Sequence, residues 1–88
     1  MYSNPEMQQK EDYLRYILRR HPEQLKLHMS KEGWVDTKAL LNRSLSDGYN
    51  LTMADIHEIM RETVSEYSFK DGEKFIRANY GHSLNLKL

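Results

Sequence analysis

Basic side chains gather in two stretches that lie far apart along the chain. The first places three consecutive basic residues, Arg19, Arg20 and His21, directly before Pro22. The second contains Arg77, in the C-terminal part of the sequence. A planar guanidinium group donates two parallel hydrogen bonds to a phosphate, and two or three such groups together can hold a phosphate dianion. The sequence therefore predicts an anion-binding site if the two stretches meet in the fold.

The overall composition limits how such a site is built. The 88 residues include 13 lysines and arginines and 13 aspartates and glutamates, so the formal net charge is zero and anion binding has to be local. A chain of this length with 39% hydrophobic residues predicts one small domain. It contains no cysteine, which excludes disulfides and thiolate zinc sites. No two histidines stand at the i, i+4 spacing of metal ligands on a helix, so we assign no metal.

The sequence shows no recognisable targeting or catalytic motif. No apolar run approaches the ~20 residues of a membrane-spanning helix, and residues 1–6 lack the basic-then-apolar order of a signal peptide. We therefore expect a cytoplasmic protein with no membrane partner. The sequence also shows no Ser-His-Asp set, no paired-carboxylate signature and no glycine loop that cradles phosphate. An enzyme that acts independently is not expected from these residues.

A first helix leads into the stretch that contains Arg19. Apolar residues at helical spacing predict this helix from about Met7 to Arg20, and Pro22 stops it. Its apolar face consists of Met7, Leu14, Ile17 and Leu18. Cations in the last turn of a helix also complement its unpaired carbonyl groups, so helix capping is an alternative role for Arg19 and Arg20.

The next segment predicts a strand and then a second helix. Apolar and polar residues alternate from Pro22 to Trp34, which is typical of a short strand or extended arm. Asp36 is the predicted N-cap of a helix from Thr37 to about Leu45. The predicted inward residues of this helix are Leu40, Leu41 and Leu45.

A third helix and a hairpin complete the predicted fold. Thr52 is the predicted N-cap, with Asp55 as its capping-box partner. The inward stripe comprises Ile56, Ile59, Met60 and Val64. Asp71-Gly72 between two strand-like runs predicts a β-hairpin. The fold class is therefore α+β, with three helices, a short N-terminal strand and a C-terminal hairpin in the order of a winged helix. We predict a flexible segment at residues 1–6 and a single domain at 7–88.

A winged helix invites comparison with DNA-binding proteins, which lay the third helix in the major groove. On the exposed side of this helix, acidic residues outnumber basic ones. They are Asp55, Glu58 and Glu62, against His57 and Arg61. A surface of this charge does not attract a polyanion, so sequence-specific DNA binding is disfavoured.

The aromatic residues allow two interpretations. Trp34, Phe69 and Phe75 are able to stack on nucleic-acid bases, but core packing is the favoured prediction for all three in so small a domain. Tyr49 and Tyr80 stand next to glycines and are better candidates for exposed contacts.

Four motifs together resemble a known family. Residues 18–22 read Leu-Arg-Arg-His-Pro and are similar to a Leu-Arg-His-x-Pro pattern except at its histidine. Residues 76–83 read Ile-Arg-Ala-Asn-Tyr-Gly-His-Ser and resemble Ile-Arg-Ala-Asn-Gln-Gly-His-Ser with one change. Gly-Trp-Val at 33–35 and Gly-Tyr-Asn-Leu-Thr at 48–52 add to the similarity. From about Tyr13 onward the chain resembles the N-terminal lobe of the RNA 2'-phosphotransferases, which use NAD to remove an internal 2'-phosphate from spliced tRNA.

The resemblance implies a winged-helix lobe that binds RNA. By position, phosphate contacts fall on Arg19, on Arg20 in the place of the family's histidine, and on Arg77. Supporting roles around them fall on Asn79, Gly81 and His82. Arginine keeps the positive charge at position 20 but does not titrate near neutrality, so an acid–base role of the histidine is lost. Tyr80 replaces a glutamine.

The resemblance also implies partners. The family's second lobe, which holds NAD, would begin after about Leu88, so we expect this chain alone to bind no cofactor and not to catalyse transfer to NAD. The expected partners are a 2'-phosphorylated RNA and a separate or downstream NAD-binding lobe. The alternative is a winged-helix module for protein interaction or nucleic-acid binding with no 2'-phosphate specificity. In that case Arg77 is an ordinary solvated residue of the hairpin.

Overall fold

The fold is described from a computed structural model that covers residues 5–63 and 65–79. It contains three α-helices, a short 3-10 helix and three β-strands. In chain order these are α1 (Pro5–Arg19), the 3-10 helix (Pro22–Leu25), β1 (Val35–Asp36), α2 (Thr37–Ser46), α3 (Met53–Glu62), β2 (Tyr67–Lys70) and β3 (Phe75–Ala78). The predicted α+β class with three helices is confirmed, and α1 begins two residues earlier than predicted.

The sheet is antiparallel, with β3 at its centre and the strand order β1-β3-β2. Val35 on β1 and Phe69 on β2 both lie opposite Ile76. The predicted hairpin is confirmed, and residues 71–74 form its turn. Asp71 and Gly72 have positive φ angles of 54° and 71° there, a backbone conformation that aspartate tolerates and glycine adopts freely.

Of the short strand or extended arm predicted between Pro22 and Trp34, the strand is wrong, because Pro22–Leu25 form a 3-10 helix and the first strand starts at Val35. Proline favours the first turn of a helix, since its fixed φ suits that position and its missing N–H is not needed. Lys26 then ends the turn in the left-handed conformation, and its N–H donates to the Glu23 carbonyl. The alternation of apolar residues in this segment therefore does not reflect strand pairing.

Local hydrogen bonds fix the starts of α2 and α3 as predicted. Asp36 Oδ1 accepts from the Ala39 N–H at 2.9 Å. Thr52 Oγ1 accepts from the Asp55 N–H at 3.1 Å, and the Asp55 carboxylate accepts from the Thr52 N–H at 3.0 Å, which completes the capping box.

The hydrophobic core lies between α1, the other two helices and one face of the sheet. Its fully buried side chains include Leu14, Ile17, Leu18, Leu40, Ile56, Ile59 and Ile76. The predicted inward position of Leu45 is wrong, since 61% of this residue is exposed. At 3.6 residues per turn, Leu45 lies about 140° around α2 from Leu40, whereas the buried Ser44 lies close to it. Val64 lies outside the described residues.

Candidate functional site

An ion-pair cluster connects the end of α1 with the start of β2. Arg19 Nη2 donates to Glu66 Oε1 at 2.7 Å, and Arg15 Nη2 lies 4.0 Å from the same oxygen. Arg15 also donates to Glu11, a buried residue one turn earlier on α1. Two guanidinium groups and two carboxylates therefore share this corner of the fold, and the carboxylates neutralise much of the positive charge.

Tyr67 forms the inner wall of this cluster and is only 4% exposed. Burial raises the pKa of its hydroxyl to about 12, although the positive charges of Arg15 and Arg19 act in the opposite direction. Within the described residues this hydroxyl has no hydrogen-bond partner. It is therefore a neutral group at physiological pH.

Arg77 is held in place by three contacts. Its Nε donates to Asn79 Oδ1 at 3.1 Å, its Nη1 donates to the Glu32 carbonyl at 3.2 Å, and its guanidinium carbon lies 4.6 Å from the centre of the Trp34 ring. Asn79 is fixed in turn, because its Nδ2 donates to the Ser65 carbonyl at 2.9 Å. The guanidinium group is thus oriented before any ligand arrives.

Glu66 and Asn79 connect the two basic stretches. The Asn79 N–H donates to the Glu66 carbonyl at 2.8 Å, next to the point where β2 and β3 pair. Since the Glu66 side chain pairs with Arg19 and the Asn79 side chain accepts from Arg77, two residues link the predicted phosphate-binding arginines. A relay of contacts therefore runs from Arg19 through Glu66 and Asn79 to Arg77 at one end of the hairpin.

Arg20 and His21 lie further out. Arg20 is exposed, follows the last residue of α1 and lines a shallow pocket of about 210 Å³ with Asp12, Arg15 and Tyr16. His21 Nδ1 lies 2.7 Å from Glu23 Oε2. The predicted residues Gly81 and His82 lie outside the described part of the chain, as does Tyr80.

The charges on α3 and its surroundings are paired locally. Arg61 donates to Glu58, and His57 Nε2 lies 2.6 Å from Glu73 Oε2. Lys10 Nζ donates to Asp55 at 2.8 Å. Burial acts to raise the pKa of Asp55, but hydrogen bonds from Lys10 and Thr52 outweigh it and lower that pKa. These pairs leave little net positive charge on α3.

Trp34 and Phe75 were predicted to pack in the core, and this prediction is wrong. Both residues are half-buried and lie outside the core cluster, whereas Phe69 packs against it as predicted. Strand alternation points Ile76 and Ala78 inward, so Phe75 faces outward. Trp34, just before β1, is on the same side, because Lys70 Nζ lies 5.0 Å from its ring centre and 5.3 Å from that of Phe75. The inward alternation of β3 was the signal for this face, whereas nothing in the sequence pointed to Glu66.

Two features of residues 5–63 and 65–79 bear on metal and dinucleotide binding. No group of three histidine or acidic side chains there is arranged to hold a metal ion. β1 leads directly into α2 with no intervening glycine, and the carboxylate of Asp36 already binds the N-terminus of that helix. This junction does not fit a dinucleotide phosphate, which needs free backbone N–H groups. No helix in the same residues is long and apolar enough to cross a membrane.

Comparison with known proteins gave a consistent result. Residues 8–88 match the family described as RNA 2'-phosphotransferase, Tpt1 / KptA family. A probable RNA 2'-phosphotransferase of Rhizobium leguminosarum bv. trifolii is 38% identical over 76 residues, which cover 86% of this chain and 40% of that protein. Another, from Hahella chejuensis, is 31% identical over 83 residues, which cover 93% of this chain and 45% of that protein.

A third probable RNA 2'-phosphotransferase, from Fusobacterium nucleatum, is 32% identical over 77 residues, which cover 86% of this chain and 43% of that protein. The chain thus spans less than half the length of these curated relatives. The family match nevertheless covers almost all of it and includes both arginine stretches, which the fold links through Glu66 and Asn79. The chain therefore belongs to the RNA 2'-phosphotransferase family.

Proposed function

We propose that this chain is the RNA-binding part of an RNA 2'-phosphotransferase and that it holds a 2'-phosphorylated RNA through Arg19, Arg20 and Arg77. The observation that carries this proposal is the link from Arg19 through Glu66 and Asn79 to Arg77. It joins two sequence-distant basic stretches at one end of the hairpin. Family membership supports RNA as the substrate class.

The proposed fold type is a winged helix, formed by one domain over residues 7–88. The element order supports this proposal, because β1 lies between the first two helices and a hairpin follows the third. In this arrangement the RNA does not lie along α3, whose charges are largely paired. It lies instead at the corner formed by α1 and the hairpin.

The three arginines have different parts in this proposal. Arg77 is oriented by Asn79, Glu32 and Trp34, which lowers the entropy lost when it binds a phosphate. Arg19 already pairs with a carboxylate, so a phosphate dianion competes with or joins Glu66. Arg20 is exposed and adds a permanent positive charge. Because guanidinium groups donate hydrogen bonds and have no acceptor for a proton, the arrangement supports binding rather than acid–base catalysis.

The rest of the family activity is assigned to other parts of the protein. We place the NAD site outside residues 5–63 and 65–79, since the β1–α2 junction does not fit a dinucleotide phosphate. The transferase reaction then takes place where the NAD-binding lobe meets the end of the hairpin. We assign the protein to the cytoplasm.

Binding of two matched RNAs tests the proposed function. One carries an internal 2'-phosphate and the other has the same sequence without it. Arg19→Ala and Arg77→Ala are each expected to weaken binding of the phosphorylated RNA by about 1–3 kcal/mol, roughly five- to 150-fold, through loss of charged hydrogen bonds. The unmodified RNA loses less.

Arg61→Ala is the matched control, because it removes an exposed arginine from α3. It should leave the preference for the phosphorylated RNA unchanged. Equal losses for both RNAs in Arg19→Ala and Arg77→Ala would instead indicate a diffuse electrostatic surface. Chemical-shift mapping adds an independent readout, since a protein-interaction module shows no localised change near Arg19 and Arg77 on RNA addition.

A further inference from the structure

One face of the sheet does not contribute to the hydrophobic core. The inward side chains of β3 are Ile76 and Ala78, both fully buried. The opposite side carries two half-buried aromatic rings and three cations, which we call the outer face. It consists of Trp34, Lys70, Lys74, Phe75 and Arg77.

Each cation of the outer face lies near an aromatic ring. Lys70 Nζ is 5.0 Å from the Trp34 ring centre and 5.3 Å from that of Phe75. Lys74 Nζ is 5.6 Å from Phe75, and the Arg77 guanidinium carbon is 4.6 Å from Trp34. Such contacts orient a cation without cancelling its charge, because the ring offers only a quadrupole. The outer face therefore remains positively charged.

Two acidic side chains beside this face are engaged elsewhere. Asp36, opposite Phe75 in the sheet, binds the N-terminus of α2. Glu73, in the hairpin turn, lies 2.6 Å from His57 on α3. Glu32 contributes its backbone carbonyl to Arg77, and its side chain is exposed, as is that of Asp71 in the hairpin turn. In a chain with no net charge, three cations are thus concentrated beside two aromatic rings.

The backbone that carries Trp34 is also fixed. The Trp34 N–H donates to Ser30 Oγ at 3.0 Å, and the Ser30 N–H donates to the Trp34 carbonyl at 3.0 Å. The ring is therefore positioned by a closed loop rather than by a mobile segment. A preorganised ring loses little conformational entropy when a ligand stacks on this part of the surface.

We propose that the outer face binds unpaired nucleotides of the RNA, with bases stacked against the Trp34–Arg77 and Phe75 surfaces and the backbone phosphates near Lys70 and Lys74. Aromatic rings beside cations are the chemistry that single strands need, since every base has a π-face and every linkage carries a negative charge. A duplex keeps its base faces hidden. This inference rests on the proposed function, because Arg77 belongs both to the phosphate site and to the outer face.

Trp34 provides the direct measurement, because it is the single tryptophan of the chain. Intrinsic fluorescence of the purified protein is recorded during titration with a single-stranded RNA that carries no 2'-phosphate. Saturable quenching of Trp34 is expected. A duplex that contains the same strand should quench less and bind more weakly at the same ionic strength.

Variants measured by fluorescence anisotropy of a labelled RNA complete the test. Trp34→Ala should weaken binding of the single strand about tenfold or more, the effect of losing one stacked base, whereas Trp34→Phe should lose less. Lys70→Gln should weaken binding severalfold and flatten its salt dependence, because one phosphate contact is lost. Lys26→Gln is the charge-matched control, since Lys26 is exposed next to the 3-10 helix.

Several results overturn the proposal. Suppose that Trp34→Phe and Lys70→Gln bind the RNA as tightly as the wild type and the control Lys26→Gln, and that RNA does not quench Trp34. The outer face would then bind another class of partner. Equal affinity for duplex and single strand would exclude stacking. Lys70→Gln keeps the test valid if Trp34→Ala folds poorly, because its side chain is exposed. The two proposals fail in different ways. If the outer-face proposal is wrong, the protein still prefers the 2'-phosphorylated RNA. If the proposed function is wrong, that preference is absent, whereas unmodified RNA still quenches Trp34.

Discussion

The cluster at the end of α1 and the outer face of the sheet differ in the groups that surround their cations. In the cluster, Arg15 and Arg19 pair with carboxylates of Glu11 and Glu66. On the outer face, the cations lie near aromatic rings. A carboxylate cancels the field of its partner, whereas a ring orients a cation and leaves the field in place. The cluster thus gains structural order and the outer face keeps its attraction for anions.

This contrast makes the two regions respond differently to substitution. Charges in the cluster are partly buried, with side-chain exposures of 14% for Arg19 and 23% for Glu66. Removal of one partner there leaves charge in a poorly solvated place, which destabilises the fold. Lys70 and Lys74 on the outer face are exposed to water, so their removal affects binding more than folding.

The largest expected effect concerns the buried hydroxyl of Tyr67. Its pKa is raised from 10.0 to about 12, so the folded protein keeps a proton that the unfolded chain loses. Stability is therefore full below about pH 10 and falls as the pH rises to about 12, by about 2–3 kcal/mol at ~1.4 kcal/mol per unit.

Urea unfolding from about pH 9 to about pH 12, compared between the wild type and Tyr67→Phe, checks this prediction. The variant should lose less stability over this range. It should also be nearly as stable as the wild type at neutral pH, because the hydroxyl has no partner within the described residues. Identical alkaline profiles would show that another group causes the loss.

A smaller effect is expected from Glu66→Gln, which removes the carboxylate from Arg19. The predicted loss of stability is about 1–2 kcal/mol, because the pair is partly buried. The same change should raise the affinity for a phosphorylated RNA severalfold, since a competing carboxylate is gone.

Thermal unfolding and RNA titration measure the two effects of Glu66→Gln. Glu58→Gln is the control, because it removes a carboxylate from the exposed pair with Arg61. Lower affinity in Glu66→Gln would mean that this carboxylate orients Arg19 for the ligand rather than competing with it.

The smallest effect is predicted for the stability of Lys70→Gln. Loss of an exposed cation–aromatic contact should change the free energy of unfolding by about 0.5 kcal/mol. Chemical denaturation of Lys70→Gln, with Lys26→Gln as the control, measures this change in the free energy of unfolding. A loss as large as that of Glu66→Gln would remove the distinction between the two regions.

Local signals in the sequence were sufficient for much of the fold. The caps at Asp36 and Thr52 and the Asp71-Gly72 turn depend on hydrogen bonds and φ angles within a few residues, and all three were predicted. The 3-10 helix at Pro22–Leu25 was missed because a strand and a short helix both accept alternating apolar residues. Leu45 was misplaced because its exposure depends on which side of α2 meets the core.

In the candidate site, too, local patterns were recognised and contacts between distant residues were not. The two arginine stretches were identified from their residue types, and the link between them depends on the strand register that pairs Ser68 with Arg77. Glu66 carries no local pattern, since its partner lies on another element. Trp34 and Phe75 looked like core residues because hydrophobicity does not reveal which side of a sheet is covered. The roles of Arg19, Arg20 and Arg77 in phosphate binding stay predictions.

Asp36 belongs to two elements at once, and this has a consequence for motion. Its backbone pairs with Phe75 in the sheet while its side chain binds the first turn of α2, and the next N–H, of Thr37, donates to the Lys74 carbonyl at 2.9 Å. Fraying of the β1 edge therefore also releases the start of α2. In hydrogen exchange, we expect amides of this edge and of the first turn of α2 to open as one unit, together with the Phe75 end of the outer face.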